Sequence, residues 1–444
     1  MTNGRAGLDY WSAVRALEER GRFGVRLGLG RTRALLAAIG HPEREIRGAL
    51  IAGTNGKGSV LALAESALRA AGHHVGATPK PHLVSYRERI QVDGHPIDPD
   101  DFSRLTARVL GVSGAVARRY GEPTEFELLT AVVFARFAEV RPDVSLVEVG
   151  LGGRLDATHA WDGGVAAVTN VALDHTDRLG STIVAIAREK AAIIERGDLA
   201  VTGADGDGLA VVRRRARRLG VPLTEVGPAP LLGWDRDGIE VDLAGLGRTR
   251  VSLRGRHQAA NVAIADALLD ALDTAGIAGT PAEARRTGYA TAVWPGRLEL
   301  VRADGRDVLL DGAHNPAGAA ALATALDDLR PFLADGPLTL VTASMADKDV
   351  DGVIAALART TALGDATIVC TSVDLARAMD AATLGARWRR HRPTATILVE
   401  PDPVAAVDRA IARREAGNGP IVVAGSLYLV GAARGHLVDD PDTR

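Results

Sequence analysis

Short apolar runs alternate along this chain with longer stretches of helical periodicity. Residues 49–52, 75–78, 144–149, 165–171, 199–203 and 223–227 are mostly apolar and end in Gly, Pro or polar turns, so they read as buried strands. Residues 10–20, 32–39, 60–71, 124–140 and 181–195 read as helices. Thr124 followed by Glu127 is a capping box that marks where the helix before residue 140 begins. Residues 91–94 carry a hairpin signal, and residues 203–208, rich in Gly and Asp, read as a flexible loop. Such alternation predicts an α/β fold with a mainly parallel, doubly wound sheet.

The rhythm then breaks and restarts. Residues 239–243 and 250–253 alternate in the manner of a hairpin, and 258–275 read as a helix. Trp294-Pro295-Gly296-Arg297 reads as a linker. Beyond it, strands at 307–310, 338–343, 367–371, 394–399 and 421–424 alternate with helices. The expectation is therefore two domains, 1–293 and a smaller Rossmann-like α/β domain over 294–444. A length of 444 residues suits two cores better than one.

Composition narrows the partners. The net charge of −2 gives no basic surplus that calls for nucleic acid or a membrane surface. Cys370 is the sole cysteine, so no internal disulfide forms, which suits a reducing cytoplasm. Residues 1–10 lack the apolar segment of a signal peptide, and no 18-residue uncharged apolar run predicts a membrane span.

The chemistry gathers at strand ends. Gly53-Thr54-Asn55-Gly56-Lys57-Gly58-Ser59 lies between a predicted strand and a predicted helix, the layout of a phosphate-binding loop. Glycines let backbone N–H groups turn onto a phosphate, Lys57 reaches the terminal phosphates, and Ser59 suits Mg²⁺. The match is partial: Ile51 and Gly58 stand where a Gly and a hydroxyl residue are usual. Glu148 closes another strand and suits a Mg²⁺ beside that loop, while His175 follows a third. Lys190 sits on a helix, and His82, Arg154, Asp156, Arg297, Asp311 and His314 sit in Gly- or Pro-rich turns. Each has an ordinary structural use, as a cap, a turn brace or a solvated charge. From residues alone the chain is an ATP- and Mg²⁺-handling protein, with kinase, ligase and conformational switch all open.

Taken in order, the motifs resemble the folylpolyglutamate synthase/dihydrofolate synthase family of the Mur ligase superfamily. The resemblance runs from Gly28 to Gly431. It is carried by the loop at Gly53–Ser59, Pro81-His82-Leu83 with Glu88-Arg89-Ile90, and Gly150-Leu151-Gly152-Gly153-Arg154-Leu155-Asp156-Ala157-Thr158. Asp174-His175, Glu189-Lys190-Ala191, His257-Gln258 with Asn261, Pro295-Gly296-Arg297, Asp311 with His314-Asn315-Pro316, Asp347-Lys348-Asp349 and Gly425-Ser426 follow in family order.

The resemblance implies an ADP-forming ligase that adds L-glutamate to dihydropteroate or a reduced folate through an acyl phosphate. It implies an ATP-binding domain with the folate site over 1–293, and a glutamate-binding domain over 294–444. Asn55, Gly56, Lys57, Gly58, Ser59, Asn261, Arg297 and Asp311 would bind ATP. Ser59 and Glu148 would hold one Mg²⁺, and His175 with a carbamylated Lys190 a second. Lys57, Glu148, His175 and Lys190 would form the catalytic set. Gly30, His82, Thr124, Phe126, Glu127, Arg154, Leu155 and Asp156 would line the pterin side, and His314 would meet glutamate. A monomer is implied.

Three positions depart from the family pattern: Lys80 for a usual Ser, His159 for Asn and Ala192 for Gly. A lysine at position 80 would either contact phosphate or weaken the first metal. The competing readings are a Mur-type peptidoglycan precursor ligase and a non-catalytic ATP-binding regulator.

Overall fold

Strands of one sheet, the central ones buried on both faces, organise the first half of the chain. In this computed structural model, which describes residues 8–21, 26–413 and 419–440, they are β1 (Gly48–Ala52), β2 (Val75–Thr78), β3 (Gln91–Val92), β4 (His95–Pro96), β5 (Val144–Glu148), β6 (Gly164–Val168), β7 (Leu199–Thr202) and β8 (Leu223–Glu225). They form one sheet in the order β4-β3-β2-β5-β1-β6-β7-β8. All neighbours from β2 to β8 pair in parallel, and only β3 and β4 pair antiparallel. Every residue of β1, β2 and β5 is buried, which is why their sequences run apolar without alternation.

The winding has a consequence for ligands. From β1 the chain crosses to β2 and β5 on one side, then to β6, β7 and β8 on the other. The connections diverge at the carboxyl end of β1, and a crevice opens at such a switch point. β1 is in register with both neighbours, Ile51 against Glu148 and Ala52 against Val168, so three strands end at one level. Helix Glu125–Val140 packs beneath them, with Leu128, Val132, Phe134 and Phe137 buried. Its capping box is formed as the sequence predicts, Thr124 and Glu127 each accepting from the other's backbone N–H.

The second sheet has the order β12-β13-β17-β14-β15-β16, from β9 (Leu231–Asp235), β10 (Gly238–Leu243) and β11 (Gly247–Val251), which form their own antiparallel trio, through β12 (Glu299–Ala303), β13 (Arg306–Asp311), β14 (Thr339–Thr342), β15 (Thr367–Cys370), β16 (Thr396–Val399) and β17 (Ile421–Ala424). Only β12 is antiparallel in the larger of these two sheets.

Several boundaries differ from expectation. By contact, a first unit runs to Pro228 and resumes over Ala260–Tyr289, while Ala229–Ala259 and the chain from Ala290 make the second. The single cut expected at 293/294 does not describe the β9–β11 segment. Residues 203–208 are not a loop throughout: a helix, Gly206–Leu219, starts within them. β6 ends at Val168, not at 171, and His175 therefore stands several residues past a strand end. Helices Pro99–Tyr120 and Ala282–Thr291 were not anticipated. Of residues 1–10, read as lacking the apolar segment of a signal peptide, 1–7 lie outside the described residues.

Candidate active site

The turn after β1 is shaped by glycine and by distant partners. A Cβ on Gly53 would overlap Thr169 Oγ1, and one on Gly56, at φ 82°, would overlap Asn261 Oδ1. Thr169 Oγ1 donates to the Asn55 carbonyl (2.6 Å), and the Asn55 N–H donates to Asn170 Oδ1 (2.9 Å). The helix Lys57–Ala70 starts at once, so its first N–H groups and its dipole face the turn. Lys57, Gly58 and Ser59 are its first three residues, and Ser59 is buried.

Charged side chains converge here. Lys57 Nζ donates to the carbonyls of Gly53 (3.1 Å) and Thr54 (3.2 Å), and it lies 3.9 Å from Glu148 Oε1. Lys190 Nζ, from helix Ile183–Ala191, donates to the same Gly53 carbonyl (2.8 Å). Burial and the nearby Lys57 push the Lys190 ammonium down to about 7. Lys80 reaches the site from the turn after β2: its N–H donates to Glu148 Oε2 (2.9 Å), and its ammonium donates to the Glu148 carbonyl. Removal from water lowers Lys80 to about 8, against the pull of Asp156 and Glu148. Lys57 and Lys80 thus flank buried Glu148, and Lys190 joins Lys57 on the Gly53 carbonyl, a concentration of positive charge that attracts a polyphosphate.

His175 is more exposed. It adopts a left-handed conformation (φ 50°) before a short helix, with Nε2 3.9 Å from Asp174 Oδ2. Asp174 acts electrostatically on Lys190, which ties this corner to the loop. Among the described residues no group of three His, Cys, Asp or Glu is placed to hold a metal. The donor set Ser59, Glu148, His175 and Lys190 fits Mg²⁺ only with phosphate oxygens added and with Lys190 converted from cation to carboxylate. Asn261, buried, faces Gly56.

The expected pterin-side residues form a second cluster in the same unit. Glu127 takes both carboxylate oxygens to Arg31 Nε (3.0 and 2.9 Å), next to Gly30 at the start of helix Gly30–Ala38. The Phe126 ring approaches Gly150 and lies 5.2 Å under the Lys80 ammonium. Asp156 is a buried brace, accepting from the N–H groups of Leu151 and Thr158 and from Thr158 Oγ1. The Leu155 carbonyl accepts from Gly28 (3.2 Å). Arg154 is exposed and turns to Glu189 (2.9 Å), so it marks the rim. His82 accepts from Arg89 Nε (2.8 Å) and packs on Tyr86; burial and that guanidinium push it down to about 3.

The remaining expected residues lie in the second unit. Asp311 is buried, which raises its carboxyl, and it accepts from Leu298 and Ala313 (2.9 Å each). Arg297 donates to the Gly296 carbonyl (3.1 Å), and His314 Nδ1 pairs with the Gly312 carbonyl (2.8 Å). Thr169, Asn170 and Arg31 were absent from the expected site, whereas Lys80 was expected there only as a departure from the family's Ser. The run Thr169-Asn170 directly after β6 was the available signal for two of them. A cavity of about 600 Å³ lined by Arg33, Arg47 and Trp161 opens at the opposite, amino end of β1 and is separate from these groups.

A glycine-shaped turn before a helix, at the switch point of a parallel sheet and ringed by lysines, defines a phosphate-handling α/β protein of the nucleotide-binding kind. A family model described as "Dihydrofolate synthetase, C-terminal domain" matches residues 297–434. The dihydrofolate synthase/folylpolyglutamate synthase of Bacillus subtilis is 33% identical over 441 residues, 96% of this chain and 99% of that protein. The crystal structure of Mycobacterium tuberculosis folylpolyglutamate synthase complexed with ADP and AMPPCP superposes with a TM-score of 0.86 at 32% identity, covering 98% of this chain and 100% of the other. A bifunctional folylpolyglutamate synthase/dihydrofolate synthase with Mn, AMPPNP and L-glutamate bound gives 0.80 at 28% identity, covering 98% and 100%. This chain belongs to the dihydrofolate synthase/folylpolyglutamate synthase family.

Proposed function

We propose that this chain joins L-glutamate to the carboxylate of dihydropteroate, of a reduced folate, or of both, driven by ATP. The observation that carries the reading is the meeting of Lys57, Lys190, Lys80 and Glu148 at the phosphate turn, in a chain of this family. A carboxylate resists attack by an amine. Its oxygen attacks the γ-phosphorus, the bond to ADP breaks, and an acyl phosphate forms. The glutamate amine then adds to that carbonyl, loses its proton, and expels phosphate. The first step brings two anions together, so fixed positive charge is what the site must supply.

In this reading the turn at Asn55 and the N–H groups from Gly56 to Ser59 cradle phosphate, and Lys57 neutralises the charge that moves from γ- to β-phosphate. Ser59 and Glu148 would hold one Mg²⁺ and His175 with a carbamylated Lys190 another, and these ions would supply Lewis-acid charge to the phosphoryl transfer. Asn261, Arg297 and Asp311 bind the nucleotide. His82, Phe126, Arg154 and Asp156 face the pterin acceptor, and His314 serves glutamate. We assign the nucleotide and pterin sides to the domain expected over 1–293, without its Ala229–Ala259 segment, and glutamate handling to that over 294–444. We place the protein in the cytoplasm as a monomer; no described helix is long and apolar enough to cross a membrane.

The test is phosphate release with ATP, Mg²⁺, L-glutamate and either dihydropteroate or tetrahydrofolate. Release that requires both glutamate and one pterin acceptor is expected. Release independent of both, or none with either acceptor, overturns the reading. A nucleotide-sugar peptide acceptor is expected to give none, which separates the chain from a peptidoglycan precursor ligase.

A further inference from the structure

Lys80 packs against Glu148, which the ligase reading assigns to a divalent cation. The turn after β2 carries it across the carboxyl end of β5. Its N–H binds Glu148 Oε2 (2.9 Å), and its ammonium binds the Glu148 carbonyl. The same ammonium sits 5.2 Å from the Phe126 ring centroid, within the range of a cation–π contact, and interacts electrostatically with Asp156. A lysine on a turn ordinarily extends into water, because an ammonium is strongly hydrated. This one is instead drawn inward by a carbonyl, two buried carboxylates and an aromatic face.

That placement has two electrostatic effects. It adds positive charge between the Glu148 side of the site and the Phe126–Asp156 side. It also repels any second cation that approaches Glu148. Glu148 is already engaged at Oε2 by the Lys80 N–H, while Oε1 lies 3.9 Å from Lys57. A Mg²⁺ binding there must therefore share that carboxylate with the Lys80 N–H and the Lys57 ammonium, with the Lys80 ammonium close by on the Glu148 carbonyl. Coulomb repulsion between a unit and a double charge a few ångströms apart is several-fold larger than thermal energy, even with protein-like screening.

We propose that Lys80 is a built-in cation of the reaction centre, which supplies part of the charge of a first Mg²⁺ beside Glu148 and makes this chain's site weak for that metal. The inference rests on the ligase reading of the site. Lys80 acts through the field at Glu148, so its signature is metal affinity and not only rate.

The experiment titrates Mn²⁺ into the full-length protein saturated with ADP, reading free Mn²⁺ by electron paramagnetic resonance. Lys80→Ser and Lys80→Met are compared with the parent. Both are expected to bind the tightest Mn²⁺ at least about tenfold more strongly than the parent, since each removes the repelling charge. Lys80→Ser should exceed Lys80→Met, because its hydroxyl can ligate. Lys80→Arg keeps the charge and is expected to match the parent. Equal affinity in all four proteins overturns the inference, as does a tenfold gain in Lys80→Arg. Thermal unfolding checks that each variant is folded; if one neutral variant is not, the other decides. Calorimetry of ADP binding to the parent in excess Mg²⁺ separates the two levels. No ADP binding overturns the nucleotide reading and this inference with it, whereas ADP binding with unchanged Mn²⁺ affinity overturns this inference alone.

Discussion

After β1 the chain turns through Gly53–Gly56, and after β13 it turns through Gly312–Asn315. Both turns leave the carboxyl end of a parallel strand and enter a helix. The first is held from far along the chain. Thr169 and Asn170 bind Asn55, Thr54 Oγ1 exchanges hydrogen bonds with Ala172, and Lys190 binds the Gly53 carbonyl. The second is held from close by. Asp311 binds Leu298 and Ala313, the Gly312 N–H binds the Gly296 carbonyl, and Asn315 caps its helix through Gly318. The difference teaches that the phosphate turn owes its shape to tertiary structure, whereas the other is wired by its own neighbourhood.

The comparison is open to attack at several strengths. Lys57→Ala and Glu148→Ala should each lower phosphate release by at least about 10²-fold while leaving the unfolding temperature close to the parent's, because each removes charge acting on the transferring phosphoryl group. Near-normal turnover in both folded variants would remove these residues from the site. Asn170→Ala touches no expected ligand-binding residue's side chain, yet it should cost about tenfold in turnover by freeing the Asn55 N–H that shapes the turn. An unchanged rate would show that the turn holds itself, and the contrast with Gly312–Asn315 would fail.

Asp311→Ala should act locally. It strands the Leu298 and Ala313 N–H groups, and a loss of about 2 kcal/mol in urea unfolding is expected. Loss of activity without loss of stability would instead mark Asp311 as a ligand group first. The smallest effect concerns Lys190. Carbamylation needs the neutral amine, whose share grows as pH rises through about 7, the value to which burial lowers it. Added bicarbonate should therefore raise turnover severalfold at most, more at pH 8 than at pH 6. A crystal grown with bicarbonate, ATP analogue and Mg²⁺ should show a carboxylated Lys190; a plain ammonium there rejects the assignment.

These two regions also explain what was legible in the sequence. Lys57, Glu148 and Lys190 stood out because each sits in or near a short motif, and the parallel strands because their burial leaves runs without alternation. Thr169 and Asn170 did not: their place just after β6 was visible, but the bonds they make across more than a hundred residues to Asn55 were not. Helix Pro99–Tyr120 escaped notice because Gly111, Ser113 and Gly114 dilute its periodicity, although Asp98 before Pro99 is a sound N-cap signal. Gly206 and Gly208 suggested a loop, but a Cβ on Gly208 would lie 3.1 Å from Val171 Cβ, so this glycine serves close helix packing. The segment Ala229–Ala259 was allotted by its position in the sequence, whereas its ion pairs decide otherwise: Arg236 holds buried Asp307 (2.6 Å) and Arg256 holds Asp328 (2.6 Å).

That last feature matters during synthesis. The strands β9, β10 and β11 leave the ribosome before the partners they pack with, Asp307 and Asp328 among them. At usual elongation rates the wait is on the order of ten seconds. The nascent meander must pass that interval with Arg236 and Arg256 without their later carboxylates, while the helix that follows it, Gln258–Thr274, returns mostly to the earlier unit. A gene cut at residue 293 would thus release a fragment carrying an orphaned three-stranded sheet, whereas a cut at 228 would strip the first unit of Ala260–Tyr289. No single stop codon yields a clean half of this molecule.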